Sequence, residues 1–60
     1  MLNIAICDDS KFDALAAREV IRNTLNNLNK EADIEYYLNA EDIQNKLLKR
    51  KEPLDLLILD

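Results

Sequence analysis

Two aspartates stand side by side at positions 8 and 9, and a third closes an apolar run at position 60. Adjacent carboxylates repel unless a positive charge sits between them. Asp8, Asp9 and Asp60 together would form a set of hard oxygen donors, which suits Mg²⁺ better than a softer metal. A divalent cation held there would neutralise the Asp8/Asp9 pair and keep Asp60 ionised as a nucleophile. Other chemistries are excluded by residue type. There is no histidine and one cysteine, Cys7, so neither a zinc-ligand set nor a disulfide framework can be built. There is no glycine, which removes the P-loop and the dinucleotide fingerprint. A calcium loop from Asp9 onward would need a glycine and a terminal glutamate at fixed positions, and both are absent.

Acids far apart in the chain act together only if the fold brings them to one place. Leu2 to Cys7 is almost wholly apolar, as in a parallel strand covered on both faces. Ser10 is a good N-cap with Asp13 three residues on, close to a capping box. Ala14, Ala17, Ile21, Leu25 and Leu28 then recur at helical spacing, and Phe12 and Val20 widen that stripe. Asn26, Asn27 and Asn29 cluster where the helix must end, and asparagine tolerates the left-handed cap that glycine usually fills. Ile34 to Leu38 reads as a second strand, with Tyr36 and Tyr37 on opposite sides of it. Asn39 can cap a second helix, with Asp42 at its third position. That helix carries its stripe on Ala40, Ile43 and Leu47, with Leu48 at the margin, and closes on Lys49, Arg50 and Lys51. These cations read as a solvated helix end. Pro53 stops the helix, and Leu54 to Leu59 is the third strand.

Strand, helix, strand, helix, strand with apolar strands is the pattern of an α/β fold with a parallel sheet and right-handed crossovers. With the first strand central, the order is 2-1-3, one half of a doubly wound, flavodoxin-like sheet. Ligands of such sheets bind outside the carboxyl ends of the strands. Asp8 and Asp9 follow the first strand and Asp60 follows the third, so the three acids are expected to converge.

The totals narrow the partners. A formal charge of −4 argues against a nucleic-acid or anionic-membrane surface on this segment. An apolar fraction of 48% is too high for a disordered tail. No apolar run approaches the ~20 residues of a membrane span. The opening Met-Leu-Asn lacks the features of a signal peptide, and a lone cysteine fits a reducing compartment, so a cytoplasmic location is expected. Cys7 itself reads as a buried strand residue.

CDDS after an apolar strand, and LLILD about fifty residues later, resemble the receiver domain of response regulators in bacterial two-component signalling. The CDD form is similar to receivers attached to LytTR-type DNA-binding domains. The resemblance covers residues 1–60 and the first half of the family's fold, its first three strands and two helices. It implies that Asp9 holds Mg²⁺ directly, that Asp8 acts through water, and that Asp60 accepts a phosphoryl group from a histidine kinase. Phosphorylation would then shift a conformational equilibrium and control an output such as transcription. This is a signalling role, not that of a conventional enzyme. The family's Ser or Thr after the fourth strand and Lys after the fifth have no counterpart within these residues.

Two other classes compete. A truncated, unphosphorylated receiver could serve as a dimerisation or binding module, because the third strand is an apolar open edge that invites a second copy or further chain. A Mg²⁺-dependent phosphohydrolase would place its nucleophile at Asp8 and a second acid two residues on, where this chain has Ser10. It ranks last.

Overall fold

The computed structural model describes residues 1–60, and five elements follow one another: β1 (Leu2–Cys7), α1 (Lys11–Asn27), β2 (Ala32–Tyr37), α2 (Ala40–Lys49) and β3 (Leu56–Leu59). The three strands form one parallel sheet in the order β2-β1-β3. This is the expected α/β architecture and strand order.

Period-two alternation decides which strand residues meet which helix. Ile4 and Ile6 of β1, Ile34 of β2 and Ala14 of α1 form the main core, with Ala17, Ile21, Leu25, Tyr36 and Ile58 packed against it. Ala14 is fully buried. A larger side chain there would push α1 off the sheet, at a cost of about 1–3 kcal/mol typical of overpacking. On the opposite face Ala5 and Ile43 of α2 are buried. The register pairs Ile4 with Ile34 and Leu56, and Ile6 with Tyr36 and Ile58; the Ile6 layer crosses all three strands, while Leu56 is left half exposed at the edge.

Both helix starts follow the expected caps. Ser10 Oγ accepts from the Asp13 amide at 3.3 Å, and Asn39 Oδ1 accepts from the Asp42 amide at 2.8 Å. The first capping box is only half made, however. The Ser10 amide donates to Asp8 Oδ1 at 2.9 Å, so Asp8 takes the place a box residue would fill. α1 ends on a left-handed Asn29, φ 57°. The amides of Asn29 and Lys30 return to the carbonyls of Asn26 and Leu25, which is a Schellman closure without glycine.

Several boundaries and faces differ from the sequence reading. β2 starts at Ala32 and stops at Tyr37, because Leu2 already bonds the Glu31 carbonyl and the ladder with β1 begins there. α2 stops at Lys49: Arg50 is extended, with ψ 138°, so Arg50 and Lys51 lie outside the helix. β3 begins at Leu56, two residues after the expected Leu54. Phe12, Val20 and Leu28 do not join the core of α1; Phe12 is 81% exposed. Leu48 of α2 is exposed as well, and Cys7 is only partly buried. Part of the apolar stripe on each helix therefore turns away from the sheet.

Candidate functional site

The strand ends place the acids. The Asp8 amide donates to the Tyr37 carbonyl at 3.0 Å, extending the β1–β2 ladder by one residue. The Asp60 amide donates to the Cys7 carbonyl at 3.1 Å, which extends β3 beside β1. Asp60 is thereby bonded to the residue immediately before Asp8. The expected convergence at the carboxyl edge of the sheet is present.

The acids differ in environment. Asp8 is buried, 7% exposed, and its Oδ1 is fixed by the Ser10 amide at the start of α1. It thus sits at the amino end of α1, the positive end of the helix dipole, with a backbone donor on one oxygen. Asp9 is exposed at the rim. Asp60 is exposed, and its carboxyl is pushed above its ordinary value of 3.8. The Asp8 charge is the largest cause, followed by hydrogen bonding between the two side chains and slight desolvation, then by Asp9 and Asp13. Asp13 was read from the sequence only as a capping residue. From the first turn of α1 its charge also reaches Asp60, as the smallest of the named causes, an effect that spacing alone does not reveal.

No cation offsets this set. Lys11 forms no ion pair, and the ion pairs of the molecule, Arg50–Glu35 and Arg22–Glu19, lie elsewhere. The donors are all carboxylate oxygens, which fits a hard divalent cation. Asp8 and Asp60 are the pair brought closest, with Asp9 contributing charge from the rim. No trio of Asp, Glu, His or Cys side chains stands as a ready-made metal cage.

A second polar cluster escaped the sequence reading. Glu35 Oε2 accepts from Arg50 Nη1 at 3.3 Å and from the Tyr37 hydroxyl. Arg50 Nε donates to the Glu52 carbonyl at 2.9 Å. The Arg50 side chain is therefore mostly buried, not a solvated helix end. Tyr37 is pushed up to about 12, first by burial, then by its hydrogen bond to Glu35 and the Glu35 charge. On the other face of β2 the Arg18 guanidinium lies 5.2 Å from the Tyr36 ring centre. The two tyrosines do point to opposite sides.

Compared with protein families, curated proteins and solved structures, the chain matches no family model, no curated protein and no solved structure. No helix is long and apolar enough to cross a membrane. The functional reading therefore rests on the residues and their placement.

Proposed function

We propose that these residues are the phosphoacceptor half of a response-regulator receiver, acting in two-component signalling. The observation that carries this reading is the meeting of Asp8 and Asp60 at the ends of neighbouring parallel strands, with Asp9 beside them and no protein cation to offset the charge. Asp60 is the exposed member and is reachable by a donor; Asp8 is anchored and serves as a fixed negative ligand. In the proposed step an Asp60 carboxylate oxygen attacks the phosphorus of a phosphohistidine on a histidine kinase. The P–N bond breaks, the imidazole leaves, and an acyl phosphate forms on Asp60. Mg²⁺, held by Asp8, Asp9 and Asp60, would supply the positive charge that this transfer needs among carboxylates. The role belongs to the bacterial cytoplasm and drives an output such as transcription.

The test is incubation with acetyl phosphate and Mg²⁺, followed by intact-mass measurement. One phosphoryl group per chain, lost in Asp60→Asn, is expected. An unchanged mass in the folded wild-type chain would remove the reading.

A second reading has its own observation. β3 is an edge strand whose Leu56, Leu57 and Leu59 are 49%, 40% and 69% exposed. An edge this apolar favours pairing with another strand. On this reading two copies join along β3 as a binding module without phosphorylation. Solution mass decides it: a monomer at high concentration would exclude the homodimer.

A further inference from the structure

A cleft of about 510 Å³ opens between β2 and α2, on the face of the sheet opposite α1. Glu35, Tyr37, Asp42, Asn45, Lys46, Lys49 and Arg50 line it. Its size is that of a metabolite site; Tyr37 is the one hydrophobic residue of its lining, and the rest of its apolar surface comes from the stems of polar side chains. The lining carries three cations against two carboxylates, one positive charge in excess on a chain of net charge −4. The bonds already described decide which charges are free. Glu35 is taken up by Arg50 and Tyr37. Asp42 lines the cleft one turn before Lys46, and its Oδ2 accepts from Asn39 Nδ2 at 3.1 Å, so the excess of one positive charge lies on the Lys46 and Lys49 side. Asp33 stands close enough to raise Tyr37 slightly but does not line the cleft. Lys46 and Lys49 project from the same side of α2 and take part in no ion pair.

We propose that this cleft binds a small phosphomonoester, its dianionic phosphate between Lys46 and Lys49 and its organic part against the Tyr37 ring. Two unpaired ammonium groups match a dianion. The Asn45 amide and the remaining Arg50 nitrogen offer further donors. The clamped Arg50–Glu35–Tyr37 unit forms a rigid wall, so little ordering is needed on binding. This site is remote from the Asp8/Asp60 edge, and the inference does not depend on the phosphoacceptor reading.

The experiment is an amide-resolved NMR titration of the 60-residue chain with ribose 5-phosphate in metal-free buffer. Saturable shifts confined to Tyr37, Asn45, Lys46, Lys49 and Arg50 are expected. Joint replacement Lys46→Gln and Lys49→Gln should weaken binding about tenfold or more, with the rest of the spectrum unmoved. Asp60→Asn should leave binding intact, which separates this site from the acidic edge. Ribose alone should not bind. Shifts that never saturate, or that spread equally to Lys11 and Lys30, would overturn the proposal. So would a double variant that binds as wild type does. Succinate binding as tightly as ribose 5-phosphate would overturn the phosphate assignment.

Discussion

β3 has an aspartate beyond each end, and the two are treated in opposite ways. Asp55, at the amino end, exchanges bonds with β1: its Oδ2 accepts from the Asn3 amide at 2.7 Å, and its own amide donates to the Asn3 carbonyl at 2.7 Å. Asp60, at the carboxyl end, has its backbone in the ladder but its side chain among Asp8, Asp9 and Asp13. One carboxylate closes a strand pair. The other is set where the fold gives it only like charges. The Asp60 side chain meets only other acids, its one hydrogen-bond contact being with Asp8, whereas Asp55 has a backbone donor of its own.

The largest expected effect breaks the comparison at its chemical end. Asp60→Asn should abolish phosphoryl incorporation from acetyl phosphate completely, because an amide cannot form the acyl phosphate. Asp55→Ala should leave incorporation in the folded fraction unchanged. Intact mass on both variants checks this, and incorporation that survives in Asp60→Asn would show that another residue is modified.

At the structural end the order reverses. Asp55→Ala removes the acceptor for the Asn3 amide and should lower stability by about 1 kcal/mol, below the range for bonds to charged groups because this one is exposed. Asp60→Asn should be neutral or mildly stabilising, since it deletes a repelled charge. Urea unfolding of the two variants side by side measures the difference. The contrast is large for a chain of this length, whose total stability is expected to be small.

How much of this was legible in the residues follows from range. β1, both N-caps and a left-handed asparagine closing α1 are local, and their residue types announced them, though the cluster did not say that it would be Asn29. Alternation of elements gave the parallel sheet; the order 2-1-3, and with it the convergence of Asp8 and Asp60, followed from taking the first strand as central. The Asn3–Asp55 exchange spans 52 residues, and Arg50–Glu35 spans 15. Neither has a periodic signature, so Arg50 read as solvent-facing and Leu54 and Asp55 as strand. Phe12 and Val20 failed in the other direction. Their spacing marks an apolar face, but spacing cannot say whether anything in these residues covers it.

A smaller effect separates scaffold from chemistry within the carboxyl end itself. Ser10→Ala removes the hydroxyl that accepts from the Asp13 amide, a cap whose loss costs about 0.5–2 kcal/mol. At 3.3 Å this cap is long, so the low end is expected. The substitution keeps the Ser10 amide, which is the group that fixes Asp8. Stability should fall while phosphoryl incorporation by the folded fraction stays. Loss of both together would mean that Asp8 is held by the cap as a whole and not by the one amide.

The smallest effect is the pH dependence contributed by Asp60, because its carboxyl is exposed and salt screens it. Its sign is nonetheless definite. The folded state holds the Asp60 proton more tightly than the unfolded chain does, since the carboxyl is raised above 3.8 by Asp8 and then by Asp9 and Asp13. Below that ordinary value both states are protonated and the folded state keeps its full relative stability. As pH climbs from there through the raised folded value, the folded state must ionise against its neighbours, and stability is lost. Unfolding midpoints followed upward from pH 3.8 should therefore fall more in the wild type than in Asp60→Asn. Mg²⁺ added at neutral pH should restore part of the difference in the wild type and none in Asp60→Asn. Equal slopes in the two proteins would mean that Asp60 does not feel the other acids when the chain is in solution. The contrast between the two ends of β3 would then reduce to position alone.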